Sequence, residues 1–143
     1  MNYLMRIEPW IIYALLAIFS WGLWGFVSKL VLERASWASI IIYNLLGSSI
    51  ILLAYMFSQG PPRLPVGTTA MFAVLSGVLG AVGTTCFMLS LSGGRASIIV
   101  PLTSVYPVVT VALSVLILGD VLSLRHAAGI AFAIIAVALL SYD

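Results

Sequence analysis

Charge is what this sequence lacks most. Lys, Arg, Asp and Glu make up 7% of its 143 residues, where a soluble domain carries about 25%. Hydrophobic residues make up 63%, against a usual share of about 45–50%. A compact soluble globule with so few charges could not cover its own surface, which excludes a free cytosolic enzyme. Disorder is excluded because it needs the opposite composition. Six basic and four acidic residues give a net charge of +2 with no basic patch, so nucleic acid is not an expected partner. The single cysteine, Cys86, cannot form an internal disulfide or a cysteine metal site. There is one histidine, His126, and no Walker loop, HExxH, GxSxG or Cys/His cluster. No cofactor, metal or catalytic activity is therefore expected.

What is present is long apolar runs. A helix needs about 20 apolar residues to cross about 30 Å of hydrocarbon. Five runs qualify, at 10–30, 37–57, 70–92, 96–118 and 124–142. The fold class expected is therefore all-α: one integral membrane domain of five transmembrane helices. Lys29 and Arg125 are the only charges within these runs, each near an end where a long side chain reaches the interface. The separators suit helix ends. Ser58-Gln59-Gly60-Pro61-Pro62-Arg63 breaks a helix. Gly93-Gly94-Arg95 makes a hairpin of the third and fourth runs, and Ser123 is placed to cap the fifth. Trp10, Tyr13, Trp37, Tyr55 and Tyr142 suit interface anchoring. The first run is too long and too rich in Trp for a cleaved signal, so it is read as retained.

Five crossings place the two ends on opposite sides. Arg6, Arg63 and Arg125 then lie on one side, and Lys29, Arg34 and Arg95 on the other. The rule that sets orientation by basic residues in short loops finds no difference to act on. Two readings stay open: one orientation fixed by other factors, or insertion both ways.

Polar groups within hydrocarbon face other helices or a cavity. Thr103, Tyr106, Pro107, Thr110 and Ser114 share one helical face of the fourth run. Pro107 has no N–H, so the carbonyl of Thr103 loses its helical partner. Trp21, Trp24 and Ser28 share a face of the first run, with Gly22 and Gly25 nearby. Asn44 is the most polar group near mid-membrane in the second run, suited to an interhelical hydrogen bond or a ligand contact. In the third run, Ser76, Gly80, Gly83, Phe87 and Ser90 form a mostly small stripe, with Gly77 and Thr84 beside it, read as a close helix contact. Lys29 is four residues before Glu33 and can pair with it, reach the interface, or attract an anion. His126 and Asp120 are expected to fix the last turn. No acid lies within any run, so the usual carboxylate of a proton-coupled antiporter is missing.

The stretch Trp21-Gly-Leu-Trp-Gly-Phe-Val-Ser-Lys29 resembles the first helix of the EamA domain. The stretches Arg95-Ala-Ser-Ile-Ile-Val-Pro-Leu-Thr-Ser-Val-Tyr-Pro107 and Leu118-Gly-Asp-Val-Leu-Ser-Leu-Arg-His-Ala-Ala-Gly129 resemble its last two helices. Asp120 stands where that family usually carries Glu. The resemblance covers nearly the whole chain. It implies one EamA-type unit of the drug/metabolite transporter superfamily, similar to the five-helix bacterial and archaeal group. Most of the family's transporters carry two such units in opposite orientations. The four-helix small multidrug resistance proteins, which pair as antiparallel dimers, are also similar. Their first-helix glutamate has no counterpart here. Their last-helix dimer segment resembles residues 129–137, with Gly129, Ala133 and Ala136 as the expected dimer contact.

These readings converge on a small-molecule transporter of the cell (inner) membrane, working by alternating access as a homodimer, antiparallel in the reading favoured by the balanced charge. Its expected site is Trp21, Trp24, Asn44, Thr103, Tyr106 and Pro107, with Lys29 as a possible anion contact. That set is uncharged and suits a neutral, zwitterionic or amphiphilic metabolite. A lipid or lipid-precursor flippase, and a non-transporting subunit that needs a partner, are the alternatives.

Overall fold

The computed structural model describes residues 9–141. Arg6 and Tyr142, used above for orientation and anchoring, lie outside the described residues. Six α-helices follow in order: α1 (Pro9–Leu32), α2 (Trp37–Gln59), α3 (Thr68–Gly93), α4 (Ala96–Thr103), α5 (Tyr106–Leu113) and α6 (Leu124–Ser141). A π-helical turn, Ser114–Leu118, continues α5. There is no strand among the described residues.

Four helical segments are long and apolar enough to cross a membrane: Trp10–Leu32, Trp37–Gln59, Thr68–Gly93 and Ala96–Leu118. The apolar part of α6, Leu124–Leu140, is shorter. Eighteen residues of α6 span about 27 Å at 1.5 Å per residue, just under the thickness of the hydrocarbon. Four spanning segments and one shorter apolar helix thus stand where five full spans were expected.

Helix ends fall where local chemistry puts them. The hydroxyl of Ser36 accepts from the N–H of Ser39 at 3.2 Å and caps α2. Gly60 ends α2 with φ +79°, a backbone state that favours glycine. Only Gly94 and Arg95 separate α3 from α4, so the two form a tight hairpin. The hydroxyl of Ser123 accepts from the N–H of His126 at 3.3 Å and lies 3.0 Å from His126 Nδ1. Ser123 therefore caps α6 and His126 helps fix the turn, as the sequence indicated.

The fourth run is not one kinked helix. It breaks at Ser104 and Val105 between α4 and α5. Pro107 removes the N–H that would have continued the ladder to Thr103. Ser104 closes the end of α4 instead: its N–H reaches Pro101 O at 3.0 Å and its hydroxyl reaches the same carbonyl at 2.6 Å. The π turn ends at Gly119, whose φ of +72° is left-handed.

α1 touches α2, α3 and α4, α3 touches α2 and α4 as well, and α6 rests on α4. The buried residues Gly25, Ser28, Ile40, Met88 and Leu91 lie near the end of α1, the start of α2 and the end of α3. Short connections make these helices antiparallel neighbours, so all five residues lie toward one end of the bundle. The other end is open. A Cβ on Gly77, Gly80 or Gly83 would meet nothing within 4 Å. The small stripe of α3 was expected to bring backbones together, and within this chain it does not. Packing there stops at Phe87, Met88 and Leu91.

The exposed area is 12,020 Å². A compact soluble protein of 15.3 kDa exposes about 7,100 Å² by the usual area scaling. Many large apolar side chains stand exposed along the helices, a surface that lipid or another protein would cover.

Candidate functional site

The sequence placed six residues in one cavity. The structure brings two of them, Trp24 and Asn44, into one groove between α1 and α2. The groove holds about 460 Å³. Ser20, Trp24 and Ser28 line it from α1, and Tyr43 and Asn44 from α2. Leu23, Val27, Val31 and Ile40 make the aliphatic wall. Ser20, Trp24 and Ser28 repeat at four-residue spacing, which puts them on one helix face. Ser20, Ser28 and Tyr43 were not in the expected site. Ser20 and Ser28 sit in register with Trp24, a signal visible in the sequence; Tyr43 carries none.

Trp24 is positioned by Phe87 of α3, whose ring stacks on it at 5.3 Å between centroids and 21° between planes. One face of the indole is thus covered by Phe87, while the side chain also lines the groove. Asn44 does not make the interhelical bond, one of its two readings, among the described residues. Its Nδ2 is buried and has no hydrogen-bond partner. Ser48 bonds back to the main-chain carbonyl of Asn44 at 2.9 Å and leaves the side-chain amide alone.

Trp21 points away from the groove and is 61% exposed. The polar face of the fourth run also turns out of the chain. Thr103 and Pro107 are exposed, and Tyr106 is 58% exposed. The Thr103 hydroxyl is satisfied by its own helix, through Ile99 O at 2.8 Å and Val100 O at 3.1 Å. The Tyr106 hydroxyl makes no hydrogen bond among the described residues. Gly129, Ala133 and Ala136 are likewise exposed on α6.

Lys29 does not pair with Glu33 among the described residues. Its ammonium donates to Leu91 O and to Gly94 O, each at 3.0 Å. These carbonyls end α3 and open the turn to α4. A cation there satisfies carbonyls that helix termination leaves unpaired and opposes the negative end of the helix dipole. Two of its three N–H directions are committed to the fold. No group of His, Cys, Asp and Glu among the described residues could hold a metal ion.

A chain of long apolar helices, with polar residues turned to a groove and to an outer face, is a multi-pass membrane protein. Comparison with known proteins gives its kind. The model of the EamA-like transporter family matches residues 8–142, and the chain belongs to that family. An uncharacterized protein of Methanocaldococcus jannaschii is 34% identical over 131 residues, which cover 92% of this chain and 95% of that one. No solved structure matches.

Proposed function

We propose that the protein is a small-molecule transporter that works by alternating access as a homodimer with oppositely oriented protomers. The observation that carries this reading is the outer face of α4 and α5. Tyr106 holds a free hydroxyl at the middle of a membrane-spanning segment and is turned out of its own chain. An unpaired polar group facing lipid is costly. A second copy on this face would cover it and set Thr103, Tyr106 and Pro107 against the same residues of its partner. Transporters built from opposed repeats place substrate near the midplane between the repeats. The balanced basic residues support opposed insertion, and the exposed Gly129, Ala133 and Ala136 of α6 supply a further small-residue contact. Of the expected uncharged residues, Trp24 and Asn44 in the α1–α2 groove and Thr103, Tyr106 and Pro107 on the outer face suit a neutral, zwitterionic or amphiphilic metabolite. Trp21 lies outside the groove. The inner cell membrane is its place in this reading.

Reconstituted vesicles test the function. Labelled glucose, uridine and alanine are offered to vesicles with and without the protein. Uptake of at least one above the protein-free level is expected, and Tyr106→Phe should lower it at least about tenfold with the protein still folded. That loss corresponds to about 1.4 kcal/mol, the scale of one hydrogen bond. Uptake unchanged by Tyr106→Phe removes this residue from the path.

A further inference from the structure

The groove between α1 and α2 holds more unspent hydrogen-bonding capacity than any reading so far has used. Ser20, Trp24, Ser28, Tyr43 and Asn44 line it together. None of their side chains makes a hydrogen bond among the described residues; Ser20 and Tyr43 stand at the exposed mouth of the groove, and Ser28 and Asn44 lie deeper. Ser28 is 4% exposed, and Asn44 Nδ2 is sealed from solvent without a partner. Within a membrane, polar groups left like this are strongly unfavourable unless something in the groove answers them.

The lining sets the chemistry of that answer. Every polar group is neutral: three hydroxyls, an indole N–H and a carboxamide. No charged residue lines the groove. Lys29, adjacent to Ser28 in sequence, is held by the carbonyls of Leu91 and Gly94. An ion entering here would lose its water and find no counter-charge. A purely apolar molecule would leave all five groups unanswered. What fits is a neutral molecule with several hydroxyls or carbonyls and one apolar face to lie on the indole and the aliphatic wall. The volume of about 460 Å³ falls in the range of small-molecule sites, about 300–1,000 Å³.

We infer that the α1–α2 groove is a binding site for a neutral polyhydroxylated molecule of the sugar, polyol or nucleoside class. The site lies within one protomer, apart from the face that carries Tyr106. The inference deepens the transporter reading and rests on it for biological meaning, while binding itself can be measured without transport.

Trp24 supplies the reporter. Protein carrying Trp10→Phe, Trp21→Phe and Trp37→Phe keeps Trp24 as its sole tryptophan. In detergent it is titrated with glucose, xylitol and uridine, then with glucose 6-phosphate and tetraethylammonium. A saturable change in Trp24 emission is expected with at least one of the neutral three and with neither ion. Asn44→Leu should weaken that binding at least about tenfold while the protein stays monodisperse, because it removes an unpartnered buried amide. If Asn44→Leu does not fold, the Ser20→Ala/Ser28→Ala double variant reads the same loss from the other wall. No response to any neutral probe, an equal response to an ion, or binding indifferent to these substitutions overturns the assignment. Binding without uptake in vesicles would refute the transporter reading and leave the groove standing. Uptake indifferent to Asn44→Leu, with no binding, would do the reverse.

Discussion

Lys29→Met is expected to destabilise the detergent-solubilised protein by about 3–6 kcal/mol, the sum of two hydrogen bonds from a charged donor at about 1.5–3 kcal/mol each. The methionine keeps the apolar stem and removes the ammonium. Leu91 O and Gly94 O then lose their donor at the point where α3 turns into α4. Leu91 is 0% exposed, so no water stands ready to replace the ammonium at its carbonyl. The same bonds tie α1 to the α3–α4 hairpin at the end of the bundle where the buried residues gather. Their loss should loosen both the end of α3 and the seat of α4. Lys29→Arg should recover part of the loss, since a guanidinium keeps the charge and several donors in a different geometry. Thermal melts of the three proteins measure the effect. A Lys29→Met protein that melts with the parent would show that the ammonium does not serve the fold, and would return it to the anion-binding role considered from the sequence.

The second large effect is expected at Gly25. It is buried, and a Cβ there would stand 3.8 Å from Val100 Cγ2 on α4, an ordinary contact. Gly25→Ala should therefore be tolerated, and even gain about 1 kcal/mol from helix propensity. Gly25→Leu has no room and must push α4 from α1, at a cost of about 1–3 kcal/mol. Gly22 is the internal control, because a Cβ there meets nothing within 4 Å. Gly22→Leu should leave the melting temperature near that of the parent. Equal sensitivity at Gly22 and Gly25 would contradict the α1–α4 packing. Adding Val100→Ala to Gly25→Leu should return part of the stability by opening space at the contact.

These two residues show what could be read from the chain and what could not. Hydropathy and Gly/Pro punctuation located the helices because both act over a few neighbours. Ser123 was visible as a cap for the same reason. Pro107 announced a disturbance in the fourth run, since a missing N–H is a local fact. That the run would split into α4, α5 and a π turn depends on how Ser104 and Gly119 close their ends, which spacing does not reveal. Gly22 and Gly25 look alike in the sequence, and only the approach of α4 separates them. The role of Lys29 joins residues 62 and 65 positions apart, beyond any local pattern.

The candidate site divides in the same way. Trp24 and Asn44 were recognised as polar or amphipathic groups deep in spans, and they do share a groove. Tyr106 was recognised for the same reason, yet it lies on a different surface. Helical periodicity identifies which residues share a face and cannot say what that face looks at. The small stripe of α3 illustrates this most clearly: it forms a face as expected, and within this chain its open end meets no helix.

The central claim is that two copies of the chain meet on the outer face of α4 and α5. Tyr106→Cys in a Cys86→Ala background tests it directly, by oxidative cross-linking in native membranes. Leu52→Cys, on the exposed surface of α2, serves as the control. A covalent dimer at Tyr106→Cys but not at Leu52→Cys is the predicted result. A monomer at Tyr106→Cys under conditions that oxidise exposed membrane thiols would contradict the account.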